Sequence, residues 1–174
     1  GRRPLRTLYI VRHAEAAYSS DSGDHGRPLT PRGEICAREF GLMLSRLVQE
    51  PDQVLCSDAV RALATASAAR LEGHWSAPIE PDPQLYLAPP VVLTAAARRA
   101  RPGTSRLVVV AHQPGLSDWV GRLTGGALPA FAPASVARVD LEIAAWEDLG
   151  AGTGTLRWLV GPGEAATFVE PREG

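Results

Sequence analysis

Two short and unbroken apolar runs constrain the fold of this chain more than any other feature. One is TLYIV at residues 7–11, and the other is the run RLVVVAH at residues 106–112. Both are rich in β-branched residues and lack the alternation of a half-exposed strand. This pattern predicts strands that are buried on both faces, as in a parallel sheet covered by helices.

Helical and strand-like segments alternate around these runs. Thr30 suits a helix N-cap and Pro31 suits the first helical position, so a helix is predicted to begin there. Glycines at residues 150–154 separate two further strand-like segments and predict a hairpin. The remaining predicted strands cover residues 53–57 and 78–81, and the remaining helices cover residues 59–71, 91–100 and the segment after 112. The order predicts an α/β fold, a three-layer α/β/α sandwich with a mostly parallel open sheet and a C-terminal antiparallel hairpin.

The length of 174 residues is that of one ordinary domain. We therefore predict a single domain over residues 1–174, with its core at about residues 5–161. Residues 162–174 are rich in Gly, Pro and Glu, and they predict a loose tail.

The composition narrows the set of partners. A net charge of −1, from 18 basic and 19 acidic residues, predicts no nucleic-acid or anionic-membrane partner. No apolar run approaches the roughly 20 residues of a membrane span. Cys36 and Cys56 lack the spacing of a disulfide framework and are predicted to be buried free thiols. We expect a cytoplasmic monomer or weak dimer without a cofactor.

Polar side chains follow three of the predicted strands. Arg12 and His13 end the first, Ser57 and Arg61 follow the second, and His112 ends the fourth. Open parallel sheets bind ligands outside the carboxyl ends of their strands. Because these ends share one edge of the sheet, two histidines and two arginines are predicted to meet in one crevice.

Such a cluster is suited to a phosphate group. Guanidinium groups match phosphate oxygens two at a time, and Arg27 is a further candidate near the start of the first helix. A neutral histidine can attack phosphorus, and a second histidine can donate a hydrogen bond to the phosphoryl oxygens. The cluster predicts a phosphoryl-transfer site without a metal.

Simpler interpretations exist for each residue taken alone. Arg12 and His13 could form a surface pair, His112 could be structural, and Ser57 could only cap a helix. A metal site built from His13, His112 and Glu15 is disfavoured by the adjacent arginines, which would repel a cation. The sequence contains neither a GxSxG elbow nor a P-loop.

Four segments together resemble the histidine phosphatase superfamily, also called phosphoglycerate-mutase-like. LYIVRHAEA resembles its RHG motif, CSDAVRALATA its S-S-x-x-x-R-A-x-x-T-A segment, and VVVAHQPGLSDWV its V-x-H-x-P block. RPLTPRG resembles the L-T-x-x-G start of its first helix. The four segments occur in the family order between about residues 8 and 123.

The resemblance implies a mechanism. His13 would attack phosphorus and become a phosphohistidine that water hydrolyses, while Arg12, Arg61 and His112 would hold the phosphoryl oxygens. Arg27 resembles an arginine that the small phosphohistidine phosphatase branch places before PLT.

Two departures from the family pattern are visible. Ala14 replaces the usual glycine after the histidine, and a methyl group there changes the pocket if the position needs a positive φ. The segment at residues 78–90 is short and offers no clear match to the general-acid glutamate of larger members. Glu15 is a possible substitute as proton donor.

The missing acid favours one substrate. Imidazole, with a pKa near ~6.5, can leave phosphorus as a neutral molecule, whereas an alkoxide needs a proton. We therefore expect a phosphorylated protein carrying phosphohistidine as the substrate. Alternatives are small phosphomonoesters such as sugar or nucleotide phosphates, and a phosphate-binding module without turnover. Tyr86, Leu87 and Trp119 could form an apolar rim for a small substrate or belong to the core.

Overall fold

The computed structural model describes residues 6–172, which form one six-stranded sheet covered by four α-helices. The strand order across the sheet is β3-β2-β4-β1-β5-β6. The strands are β1 (Arg6–Arg12), β2 (Gln53–Ser57), β3 (Ile79–Asp82), β4 (Arg106–Ala111), β5 (Val136–Leu141) and β6 (Gly154–Val160). The helices are α1 (Pro31–Arg46), α2 (Val60–Gly73), α3 (Pro90–Arg98) and α4 (Gly115–Thr124).

The sheet combines parallel and antiparallel pairing as predicted. β3, β2, β4 and β1 pair in parallel, β5 runs antiparallel to β1, and β6 runs antiparallel to β5. The connection between β5 and β6 is longer than a tight hairpin and contains a single 3₁₀ turn at Trp146–Asp148. The predicted α/β fold with a C-terminal antiparallel pair is confirmed.

Two apolar cores lie on opposite faces of the sheet. Successive side chains of a strand point to opposite faces, so Leu8 and Ile10 join one core while Tyr9 and Val11 join the other. The first core is completed by α3 and α4, and the second by α1 and α2. Burial on both faces explains why the first strand is apolar throughout.

Helix α1 begins as the sequence predicts. The Thr30 hydroxyl accepts a hydrogen bond of 3.0 Å from the backbone N–H of Gly33, and Pro31 is the first helical residue. Ile35 and Val48 are apolar residues in or next to this helix, but both are exposed. The helix ends at Arg46, and Val48 lies beyond it with a positive φ of 56°.

Helix α2 lacks the predicted side-chain cap. Its N-cap is Ala59 instead of Ser57 or Asp58, and no side chain caps it. Ser57 is the last residue of β2, two residues before Ala59, and its hydroxyl contacts His112 as described below.

The tail is packed in its described part, so the prediction of a loose tail is wrong there. Arg46 donates hydrogen bonds to the carbonyls of Ala165 at 3.0 Å and Phe168 at 2.8 Å. The Phe168 ring lies 4.9 Å from that of Trp158, centroid to centroid. The predicted core boundary at residue 5 and the tail residues 173–174 lie outside the described residues.

Two further predictions concern the thiols and the membrane. Both cysteines are free; Cys56 is buried as expected, whereas Cys36 is only partly buried. Over residues 6–172, every helix is too short or too polar to cross a bilayer.

The close approach of α1 and α2 depends on Gly41, which gives a prediction. A Cβ atom at this position would lie 2.0 Å from the carbonyl oxygen of Ala69 in α2. We expect Gly41→Ala to lower the free energy of unfolding by about 1–3 kcal/mol, because backbone must move to relieve the overlap. Urea denaturation monitored by circular dichroism measures the change.

Gly103→Ala is the matched control. A Cβ atom there meets nothing within 4 Å, so we expect a change within about 0.5 kcal/mol. Equal stabilities of the two variants would contradict the proposed overlap between the helices.

Candidate active site

The parallel register of β1 and β4 brings two histidines together. Arg12 pairs with Ala111, and the backbone N–H of His13 donates to the Ala111 carbonyl at 3.2 Å. His13 and His112 are therefore the next residues on adjacent strands. Their ring centroids lie 5.2 Å apart at an interplanar angle of 50°. The structure thus brings both predicted histidines to one sheet edge.

The tautomer of His13 is fixed from both sides of its ring. Nδ1 lies 2.8 Å from the Ala14 carbonyl oxygen, which can only accept, so Nδ1 carries the proton. Arg61 donates through Nε to Nε2 at 3.3 Å. Nε2 therefore carries a lone pair, as a nucleophile requires.

Burial keeps the His13 ring neutral. It lowers the pKa of His13 to about 4, and the positive charges of Arg61, Arg12 and Arg27 act in the same direction. The hydrogen bond to the Ala14 carbonyl opposes this shift only partly. Near pH 7 the ring is an uncharged imidazole.

Ala14 is accommodated without strain. It is buried in a small cluster with Ala37 and Ala134, and its φ is not positive. Its backbone N–H donates to the Thr65 hydroxyl of α2 at 2.9 Å. The Ala14 methyl group packs in this cluster, and the backbone keeps an ordinary conformation.

One ring nitrogen of His112 is hydrogen-bonded and the other has no partner among the described residues. Its Nε2 lies 2.7 Å from the Ser57 hydroxyl, and that oxygen already accepts from the Ala59 N–H at 3.3 Å. The Ser57 hydroxyl can donate its hydrogen to Nε2, and in that tautomer the ring proton is on Nδ1. This Nδ1 is buried and has no hydrogen-bond partner within residues 6–172. Burial, followed by the proximity of His13 and Arg61, lowers the pKa of His112 to about 3.

Arg61 lies at the centre of the cluster. Only 2% of its side chain is exposed, and its Nε contacts His13 as described above. The two terminal nitrogens donate to Asp24, one to the backbone carbonyl at 2.8 Å and the other to Oδ2 at 3.2 Å. The guanidinium carbon lies 5.8 Å from the centre of the Tyr86 ring.

Two further arginines flank this group. Arg12 donates to the Phe131 carbonyl at 2.7 Å, whereas its buried Nε has no partner in the described part of the chain. Burial and the proximity of Arg61 lower the pKa of Arg12. Arg27 donates to Asp24 Oδ1 at 3.0 Å and to the Ala17 carbonyl at 2.8 Å. Arg12 and Arg61 thus lie near the His13 ring, and Arg27 shares the Asp24 carboxylate with Arg61.

Asp24 is the main residue that the sequence analysis missed. It lies in the polar loop before α1, where only its spacing of three residues from Arg27 pointed to a pairing. Its carboxylate also accepts from the Tyr86 hydroxyl. That hydrogen bond, with the charge of Arg61 and the hydrogen bonds from Arg27 and Arg61, lowers the pKa of Asp24 to about 2.

The Glu15 carboxylate is hydrogen-bonded outside the histidine cluster. It accepts from the Thr30 hydroxyl at 2.8 Å and lines a surface cavity with Arg32 and Cys36. Its role as a proton donor stays a prediction.

The three residues of the predicted apolar rim lie in three different environments. Trp119 is a core residue whose indole N–H donates to the Thr94 hydroxyl at 3.0 Å, and Leu87 is exposed. Only Tyr86 lies at the cluster, where its ring centroid is 5.4 Å from that of His112.

The cluster combines an excess of positive charge with a neutral histidine whose Nε2 carries a lone pair. Three guanidiniums face one carboxylate, and both histidines are uncharged. Among the described residues, no group of three or more His, Cys, Asp and Glu side chains is arranged to hold a metal ion. The arrangement is suited to binding an anion against the Nε2 atom of His13.

Comparison with known proteins agrees with this geometry. The family model of the histidine phosphatase superfamily (branch 1) matches residues 8–86. An uncharacterised protein of Mycobacterium tuberculosis is 36% identical over 104 residues. The aligned part spans 60% of this chain and 63% of that relative.

Two solved structures share nearly the whole fold. A chain assigned as phosphohistidine phosphatase SixA from Nakamurella multipartitia is 28% identical, with a TM-score of 0.82 over 92% of this chain and 99% of that one. A protein histidine phosphatase SixA complexed with tungstate is 26% identical, with a TM-score of 0.79 over 90% and 97%. The chain belongs to the histidine phosphatase superfamily, in its SixA-like branch.

Proposed function

We propose that this protein is a metal-independent phosphatase that forms a phosphohistidine intermediate on His13. The observation that carries the proposal is the unprotonated Nε2 of His13, in a cluster that also holds two buried nitrogens without a hydrogen-bond partner in the described part of the chain. These nitrogens are Arg12 Nε and His112 Nδ1. Buried polar groups without partners are rare and costly, and phosphoryl oxygens would supply both acceptors.

The first step transfers the phosphoryl group to His13. The Nε2 lone pair forms a bond to phosphorus while the bond to the leaving group breaks and takes its electron pair with it. Arg61, which donates to Nε2 in the resting site, turns its Nε–H to a phosphoryl oxygen. Arg12, Arg27 and His112 stabilise the charge on the phosphoryl oxygens through donors that are already in place.

The second step hydrolyses the intermediate. A water oxygen attacks phosphorus, the P–N bond to His13 breaks, and its electron pair returns to Nε2. The protons of the water leave with the inorganic phosphate. The Ala14 carbonyl holds the proton on Nδ1 throughout, so His13 departs as a neutral imidazole. Catalysis by this site is mainly positioning and charge stabilisation.

We further propose protein phosphohistidine as the substrate. The carboxylate in contact with Arg27 and Arg61 is that of Asp24, and its pKa of about 2 keeps it ionised. An ionised carboxylate cannot supply the proton that an alkoxide needs, whereas an imidazole leaves without one. Small phosphomonoesters are the alternative outcome of the second experiment below.

Labelling tests the covalent intermediate. We expect ³²P from a phosphorylated substrate to be trapped on the wild-type protein by rapid denaturation at alkaline pH. His13→Ala should abolish the label because it removes the nucleophile. Arg61→Ala should reduce it about 100-fold or more, because a buried charged donor is lost. Scintillation counting and peptide mapping measure both effects.

His74→Asn is the matched control, because His74 is an exposed histidine at the C-terminal end of α2. We expect full labelling of this variant. A label that survives His13→Ala, or phosphate binding with no label on the wild-type protein, would contradict the proposed intermediate.

A comparison of substrates tests the proposed leaving group. We expect kcat/KM to be at least tenfold higher for a phosphohistidine-bearing phosphotransfer domain than for sugar or nucleotide monophosphates, because the site offers no proton to an alkoxide. Phosphate release from each substrate, measured at one enzyme concentration, gives the ratio. Turnover of the esters alone would show that the protein is an esterase instead.

The neutral state of the two histidines is testable by titration. In phosphate-free buffer, ¹⁵N shifts of His13 and His112 should stay those of neutral imidazole down to about pH 5, because their folded pKa values are about 4 and about 3. The unfolded chain, with a histidine pKa near ~6.5, binds more protons below that pH. The free energy of unfolding should therefore fall as the pH is lowered from about 6.5 towards 4. Protonation of both rings near pH 6.5 would contradict the neutral nucleophile.

A further inference from the structure

We propose that Asp24 determines substrate specificity by accepting a hydrogen bond from the N–H of the phosphorylated imidazole ring. This inference rests on the proposed function and names the group that recognises its leaving group. It concerns a residue in the loop before α1, outside the nucleophile and the phosphate-binding arginines.

The Asp24 carboxylate can accept one more hydrogen bond than it has in the structure. A carboxylate offers about four acceptor positions. Arg27 occupies one on Oδ1, while Arg61 and the Tyr86 hydroxyl occupy two on Oδ2. One position on Oδ1 is left, and 49% of the Asp24 side chain is exposed. The carboxylate is held rigidly by three donors and can still accept a fourth.

Asp24 is more exposed than the other residues of the cluster. His13 is 7% exposed and Arg61 2% exposed, so both lie at the bottom of the site, whereas Asp24 lies outside them. In phosphoryl transfer the attacking and leaving atoms are roughly in line with phosphorus. A leaving group opposite His13 Nε2 therefore lies towards the mouth, on the same side as Asp24.

Two aromatic rings, those of Tyr86 and His25, form the wall next to Asp24. The Tyr86 ring lies beside Arg61, and the His25 ring meets it edge to face at a centroid distance of 4.9 Å. His25 is held in turn by Asp58, whose carboxylate lies 2.8 Å from Nε2. Two fixed rings next to a carboxylate suit a flat cationic ring better than a flexible sugar.

The chemistry gives this hydrogen bond a consequence. In the reactive form of phosphohistidine, one ring nitrogen bears phosphorus and the other bears a proton. When the P–N bond breaks, its electron pair returns to the ring, which leaves as neutral imidazole with that proton in place. Without the proton the leaving group would be an imidazolate anion. Asp24 favours the protonated form, so the substrate itself brings the proton that a general acid would otherwise supply.

Asp24 would act differently on an ester. The leaving oxygen of an ester bears no N–H to donate to a carboxylate. An ester oxygen that gains negative charge in the transition state would instead be repelled by it. One carboxylate thus favours the phosphoramidate and disfavours the ester.

Asp24→Asn tests the proposal, because it removes the charge and keeps the size. The substrates are a phosphohistidine peptide and p-nitrophenyl phosphate, whose phenolate leaves without an added proton. We expect kcat/KM for the peptide to fall about 10- to 100-fold, as for a hydrogen bond to a charged group. The aryl ester should lose less than the peptide. Both substrates are affected by the weakened contacts of residue 24 with Arg27 and Arg61, but only the peptide loses the proposed hydrogen bond. Asp21→Asn is the matched control in the same exposed loop, and it should change neither value.

A second measurement uses the wild-type protein alone. In 1-phospho-3-methylimidazole a methyl group replaces the N–H of phosphoimidazole. We expect a kcat/KM at least tenfold lower for the methylated compound, after subtraction of spontaneous hydrolysis. Equal values would overturn the proposal regardless of how any variant folds.

The outcomes separate this inference from the function on which it rests. Equal losses on the peptide and the ester in Asp24→Asn, or no loss on either, would overturn the role of Asp24 alone. A wild-type protein that hydrolyses the ester and not the peptide would overturn the proposed substrate and this inference together. A selective loss on the peptide supports both.

Discussion

The parallel pairing of β1 with β4 is the constraint on which the candidate site depends. Because Arg12 is paired with Ala111, the next residue on each strand is a histidine, and the two rings face each other. Strand β2, on the other side of β4, ends at Ser57, which orients His112. Hydrogen bonds between backbones thereby set side-chain positions that no flexible loop could hold as closely.

The buried charge of Arg61 explains much of the remaining geometry. A guanidinium out of contact with water requires partners for its donors, and here they are His13 and Asp24. The polar loop is thus tied down over the sheet edge by Asp24, which also orders Arg27. Because both histidines are neutral, the net positive charge of the cluster comes from its arginines, and this charge attracts a dianion.

Strand ends were predictable from the sequence, and loop positions were not. His13, Arg61 and His112 follow apolar strands, and the shared edge of a parallel sheet is enough to group them. Asp24 was missed because periodicity carries no information about how an irregular loop folds back. Glu15 was proposed because it is close to His13 in sequence, and the structure adds that its carboxylate is hydrogen-bonded to Thr30. The packed tail was missed because its few apolar residues, such as Phe168, are separated by Gly and Pro.

One hydroxyl links the two halves of the site. Thr65 accepts from the N–H of Ala14 and donates to the carbonyl of Arg61, at 2.9 and 2.8 Å. The turn that carries His13 is therefore hydrogen-bonded to the helix that carries Arg61. A fluctuation that separates these two elements must break the bond between Ala14 and Thr65, so local opening of the candidate site involves both of them.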